Sequence, residues 1–250
     1  MKRITVYLFG LVFIVFYACV PTTTMVDTSC PGYKSESFSR ADINHEGVGI
    51  MPVLGGDDKE QYRRPMGDAL HNHLVGTFGS DMVMHPQEVI RVLNEHNLAE
   101  DYSTALRNYQ HTGIISGDLI QNVGQALEVE HLLYTRLLAS REVDFVYTGD
   151  RYQRIDTDEL YVQSQVWSTN IGDVVWEGKG GVAVNLAHTQ PNIVDLSAQG
   201  LANVVGNPRN QGPCETPQAL TDAAQEAYTN TYLAAILGSS VFSLLLLLTI

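Results

Sequence analysis

Three sets of residues in this chain have types and spacings that chemistry can use, and the first is a single cysteine. Met1-Lys2-Arg3 precedes an uncharged apolar run from Ile4 to Ala18, and that run meets Cys19. A basic tip with a short apolar run is the pattern of a secretory leader. A cysteine directly after a small residue at its end fits a bacterial lipobox, with Phe16 and Tyr17 where leucine and a small residue are usual. The expected chemistry is acylation of the Cys19 thiol, which then becomes the mature N-terminus. Ordinary leader cleavage and an uncleaved anchor are the alternatives. With Cys19 lipidated, Cys30 and Cys214 remain as an even pair in an oxidising compartment, where a bridge between them is expected. Both lie in turn-like surroundings, Ser29-Cys30-Pro31-Gly32 and Gly212-Pro213-Cys214-Glu215.

The third set is Asp68, His71 and His73, the raw material for a metal-dependent enzyme. On a helix, ligands for one metal want a spacing of three or four residues, and a spacing of two points them apart. The other histidines (His45, His85, His96, His111, His131, His188) form no His-Glu-x-x-His pattern and have no cysteine partners. Gly178-Lys179-Gly180-Gly181 lacks the framework of a phosphate loop and reads as a bend in a strand. Asp57-Asp58-Lys59-Glu60 lacks the spacing of a calcium loop and reads as a solvated loop. Neither Ser116 nor Ser239 lies in a Gly-x-Ser-x-Gly context. The expectation is no catalytic residue, no metal and no cofactor, with the Asp68–His71–His73 enzyme kept as a third reading.

Composition narrows the partners. The 250 residues carry 15 Lys+Arg against 28 Asp+Glu, a formal net charge of −13. Nucleic acid needs a basic face and is excluded as a main partner. Charged residues are 17% and hydrophobic residues 44%, which excludes both a disordered chain and a multi-spanning membrane protein. Residue Val20, after the cysteine, is not Asp, which by the common sorting rule directs a lipoprotein to the outer membrane.

The elements that must position these residues follow from periodicity. Residues 1–18 read as the leader and 19–43 as a lipidated, flexible tether without hydrophobic pattern. Residues 44–215 read as an α/β domain, and 216–250 as a helix with an apolar tail. Within the domain, Val48–Leu54 predicts a buried strand. Pro65–Phe78 predicts a helix with Met66, Leu70, Leu74 and Phe78 on one stripe, and Met82–Met84 a short strand. Helices follow at Pro86, over Ser103–Tyr109 and over Asp118–Leu127. His131–Ala139 fits strand or helix equally. Leu160–Ser168 and Val174–Val184 form a hairpin around Asn170-Ile171-Gly172-Asp173, with Trp167 and Trp176 as core or cross-strand aromatics. Thr216 and Pro217 open a last helix through Leu233. The uncharged run Thr231–Ile250 is long enough to span a bilayer. It reads as a membrane helix, a buried helix with an apolar tail, or a cleaved anchor signal. The fold class is α/β, a mixed sheet of about four to five strands with flanking helices.

Several of these segments carry a resemblance: Ile50-Met51-Pro52-Val53-Leu54, Gln87–Glu95, Val123–Leu133, and the hairpin with Ile171-Gly172-Asp173-Val174-Val175-Trp176. Their succession resembles the periplasmic lipoproteins related to the curli-secretion lipoprotein and to the activator lipoproteins of penicillin-binding proteins. The resemblance spans roughly Gly47–Val184 and implies adaptors, activators or assembly components with no catalytic residues to carry over. The Asp144–Asp158 connection lacks the alternation of a pore-forming hairpin. The function expected is that of a membrane-anchored envelope lipoprotein, facing the periplasm and binding another envelope protein. An oligomeric outer-membrane secretion component is the alternative, and homo-oligomerisation stays open.

Overall fold

A computed structural model describes residues 25–27, 29–56, 59–148, 151–185 and 192–208. Its elements run β1 (Met25–Asp27), β2 (Cys30–Lys34), α1 (Arg40–Glu46), β3 (Val48–Ile50) and α2 (Glu60–Phe78). After a short 3₁₀ turn come β4 (Val83–Met84), α3 (Pro86–Glu95), α4 (Ala99–Thr112) and α5 (Gly117–Leu127). The chain continues through β5 (His131–Thr148), β6 (Arg151–Ser168), β7 (Asp173–Asn185) and α6 (Ile193–Val204). One sheet has the order β1-β7-β6-β5-β3-β4, with β2 also on β7. β3 is parallel to β4 and β5, and β5, β6 and β7 form an antiparallel meander. The mixed α/β class is as expected, and the sheet is larger than expected, with seven strands among the described residues.

The alternation of β5 divides the core. Leu133 and Leu137 face α1, α2 and α6, where Ile43, Met66, Leu70, Ala198 and Leu201 bury with Trp176. Leu132 and Tyr134 face α3, α4 and α5, where Val89, Tyr102, Ile120 and Val123 bury with Trp167. Residues one apart thus enter opposite layers, as a strand's period of two requires. Both tryptophans are core residues, one in each layer.

Two extra strands come from the segment expected to be a flexible tether. β1 pairs Met25 with Val184 and Asp27 with Val182, and β2 pairs Cys30 with Lys179 and Lys34 with Trp176. α1 follows, with Asp42 accepting from the Ser39 backbone N–H at 2.6 Å, one half of a capping box. Residues 25–34 are too short and too polar to show a period, and their order comes from the open edge of β7. Three further differences share that dependence on packing. α2 starts at Glu60, more than a turn before Pro65, which gives up a single main-chain hydrogen bond inside it. β5 and β6 are 18 residues each. The supposed Asp144–Asp158 connection is therefore largely their pairing, Val143↔Thr157 and then, past a bulge, Phe145↔Arg154 to Thr148↔Arg151. α6, with Val194, Ala198 and Leu201 buried at helical spacing, has no counterpart among the expected elements.

The glycine run Gly178–Gly181 is not a bend. It pairs regularly with β6, Gly180 opposite Val162 and Gly181 opposite Tyr161. Its need for glycine is local, because a Cβ on Gly178 would lie 2.2 Å from the Trp176 indole. Among the described residues no helix is long and apolar enough to cross a membrane. The leader, Cys19, Cys214, the Thr216–Leu233 helix and the Thr231–Ile250 run lie outside the described residues.

Candidate functional site

The histidines of α2 are dispersed by the helix that carries them. His73 Nε2 meets Asp195 Oδ1 of α6 at 3.0 Å. His71 turns instead toward α3, its ring edge-on to His85 at 4.7 Å between centroids. Asp68 joins His85, with Oδ1 3.2 Å from Nε2. His85 Nδ1 accepts from the Gln87 backbone N–H at 3.1 Å as the cap of α3, so the His85 proton sits on Nε2 and faces Asp68. Burial and the neighbouring His85 hold His71 below its ordinary pKa. Asp68, His71 and His73 therefore converge on no common point, and they clasp α2 to α3 on one side and to α6 on the other. No group of three or more His, Cys, Asp or Glu able to hold a metal occurs among the described residues.

Cys30 is 6% exposed at the start of β2 and is disulfide-bonded. The aromatic cluster beneath α4 is equally closed. Tyr109 stands edge-on to Tyr134 and Trp167, and its hydroxyl donates to Gln165 Oε1 at 2.9 Å. Gln165 Nε2 donates in turn to Glu177 Oε2 at 3.0 Å, tying α4 across β6 to β7. The gap among Met51, Tyr102, Tyr134 and Trp167 is about 10 Å³, the room of one water rather than of a ligand.

The open surface lies at the β6–β7 turn. Thr169 donates to the Val129 carbonyl at 3.1 Å, and its side chain fills the space a Cβ on Gly124 would need, 2.2 Å away. Asn170 Nδ2 donates to Glu130 Oε2 at 2.6 Å, and Gln121 Nε2 reaches the Asn170 carbonyl at 3.4 Å. These residues, with Gln125 and Glu128, line an open groove of about 400 Å³. Its acidic side continues to Glu46, whose carboxyl is pushed above the usual range by burial and then by Glu130. Beside the groove the α4–α5 loop touches the turn, the Gly172 carbonyl lying 3.3 Å from the place of a Cβ on Gly117. Ile114 and Ile171 flank that contact and are 73% and 61% exposed, which makes an apolar spot at a polar rim. Sequence reasoning names Ile171 only as part of the hairpin turn, and Ile114 not at all. Their signal is an isoleucine inside the turn Asn170-Ile171-Gly172-Asp173 and another directly after Gly113.

No family model matches the chain, and no curated protein matches it. Among solved structures it is similar to the PelC dodecamer from Paraburkholderia phytofirmans at 12% identity and a TM-score of 0.40, over 76% of this chain and 100% of that one. It is similar to lipoprotein GNA1162 from Neisseria meningitidis at 10% identity and a TM-score of 0.38, over 65% and 99% of the two chains. The LpoB C-terminal domain from Salmonella enterica matches at 11% identity and a TM-score of 0.37, over 63% and 88%.

Proposed function

We propose that this protein is a membrane-anchored envelope lipoprotein without catalytic chemistry. In this reading a lipid on Cys19 holds it at the outer membrane facing the periplasm, and the domain docks another envelope protein as an adaptor or activator. The observation that carries the docking part is the exposure of Ile114 and Ile171, on the two segments that meet at Gly117 and Gly172, near the groove of Glu128, Glu130 and Asn170. An apolar centre with an acidic rim fits a partner face that is apolar at its middle and basic at its edge. In this reading the face lies far from the point where the chain from Cys19 joins the sheet. Met25 pairs with Val184 at one end of β7, and Ile171 precedes Asp173 at the other, about 35 Å away along the strand. A protein anchored at one end and docking at the other gains effective concentration from confinement, without a large interface.

The test is crosslinking from membranes with three full-length forms. The wild type should capture a membrane-associated partner. Cys19→Ser should lose it together with membrane retention, and Ile171→Asp should lose it while staying membrane-bound with an unchanged thermal midpoint. Equal capture of the same partner by Ile171→Asp and wild type refutes the docking face. Normal processing and retention of Cys19→Ser refutes the anchor.

A second reading, an oligomeric secretion or assembly component, is favoured by one feature. Beyond Leu138 the outer edge of β5 has no strand partner among the described residues, while β6 covers the other edge to Thr148. An open edge of that length is a site for strand addition. The size of the detergent-extracted protein decides it, a single chain excluding this reading.

A further inference from the structure

The strand register also says where the long β5–β6 hairpin points, given the lipidated Cys19 on which the proposed function rests. Met25 is level with Val184, and Val184 is level with Asp158 on β6. β1 runs inward from that level, so the chain preceding Met25 arrives from the end of the sheet where the hairpin projects. From Glu142↔Asp158 to Thr148↔Arg151 the hairpin advances six paired residues, with one extra residue of β6 in a bulge, about 20 Å at strand rise. From Cys19 to Met25 the chain is six residues, about 20 Å when fully extended. The projection is therefore about as long as the fully extended tether, and both leave the same end of the sheet. With the sheet standing on the membrane, the lipid on Cys19 cannot reach the bilayer without bringing the hairpin end to its surface.

We infer that the end of the β5–β6 hairpin, Phe145–Thr148 with Arg151–Arg154, is a membrane-contact element seated in the lipid headgroup layer. The residue types at this end suit that layer. Tyr147 is in register with Tyr152, and Phe145 with Arg154, so three aromatic positions and an arginine position share one face of the ribbon. Val146 and Arg151 belong to the other face. Tyrosine belongs at the boundary between headgroups and acyl chains, and arginine pairs with lipid phosphate. In a chain of net charge −13, this end carries two arginines, with Asp150 between the strands in sequence as its one acidic residue. The segment touches the bilayer and does not cross it. A spanning strand needs roughly nine to eleven residues, whereas the uncharged stretch at the end of β5 runs only from Phe145 to Thr148, with Asp144 before it.

Tryptophan fluorescence tests the contact. Trp167 and Trp176 are 7% and 0% exposed and supply a shielded background. Full-length protein with Tyr147→Trp is reconstituted in phosphatidylethanolamine–phosphatidylglycerol vesicles containing phosphatidylcholine brominated high on its acyl chains. The added emission should be largely lost to bromine quenching, while Ile171→Trp at the opposite end keeps its emission. Unquenched emission at position 147 in vesicle-bound, Cys19-lipidated protein overturns the inference and leaves the lipoprotein reading standing. Blue-shifted but unquenched emission does so too, and assigns the tip to a protein contact such as a second copy. Mass analysis of the same preparation reports on Cys19, and an unmodified Cys19 removes the anchor and the inference with it.

Discussion

Replacing Trp176 by alanine removes the largest of the fully buried side chains among the described residues. The indole packs in the layer of α1, α2 and α6, lies over Gly178, and donates from Nε1 to the Asn207 carbonyl at 3.1 Å. Truncating a buried tryptophan costs about 3–5 kcal/mol, against total stabilities of roughly 5–15 kcal/mol for domains. For a domain of this size that lowers the thermal midpoint by roughly 6–20 °C. The converse change, Gly178→Ala, places a Cβ 2.2 Å from the indole, which has to move. Such overpacking costs about 1–3 kcal/mol. The two effects share one contact and cannot add. Once Trp176 is alanine, a methyl group added at Gly178 meets no indole, so its cost should fall close to that of an ordinary strand substitution. Urea unfolding of wild type, both single variants and the double variant measures the coupling, expected at about 1–3 kcal/mol. Additive single effects, or an unchanged midpoint for Trp176→Ala, refute the packing of β7 described here.

Acid should weaken the fold in a defined window. Burial holds His131, at 4% exposure against Phe38 and Glu46, below its ordinary pKa of 6.5 despite the charges of Asp42 and Glu130, and His71 is lowered likewise. The unfolded chain protonates first, so stability is complete above 6.5 and is lost as pH falls below it, at up to about 1.4 kcal/mol per pH unit for each proton. Raised Glu46 has the opposite sign, adding stability at acid pH that is lost as pH rises above its ordinary 4.5. His131→Phe should flatten the dependence of unfolding free energy between about pH 6.5 and 5, and a slope equal to wild type refutes the assignment. Cys30, already bonded, should pair with Cys214 in mature protein whose Cys19 is lipidated. Closing a loop that long constrains the unfolded chain by on the order of 4 kcal/mol. Non-reducing peptide mapping that finds Cys214 as a free thiol rules the bridge out.

What can be read from the sequence is whatever a local pattern encodes. α3 and α5 are visible because Pro86 suits a first turn and because Leu119, Val123 and Leu127 repeat at four-residue spacing, although the structure buries Ile120 rather than Leu119 with them. The β6–β7 hairpin is visible in its turn residues and in the strand formers on either side. β1 and β2 are not, since three residues and five residues hold no period, and what makes them strands is the free edge of β7, some 150 residues further on. α1 and α6 carry weaker signals, Ser39 with Asp42 as a capping box and Val194, Ala198 and Leu201 as a stripe. The histidine pair is legible by geometry alone. A spacing of two on a helix separates His71 from His73, and the structure sends one to His85 and the other to Asp195.

The two proposed surfaces are the harder part, because both depend on which strand lies beside which. Nothing local in Phe145–Arg154 separates a solvated connection from the end of a long ribbon, since its charges break any alternation. Pairing decides it, through β6 running unbroken from Arg151 to Ser168 against β5. Nothing local in Met25–Asp27 says which end of the sheet the anchor serves, either. In the proposed reading that follows from one antiparallel register, Met25 with Val184, which sets Met25 beside the projecting hairpin and away from the β6–β7 turn that carries Ile171. Under the proposed lipid anchor, reversing the direction of β1 would carry the chain from Cys19 toward the β6–β7 turn and set the acidic groove against the membrane. In the proposed reading, the docking face stays open to a partner because β1 runs antiparallel to β7.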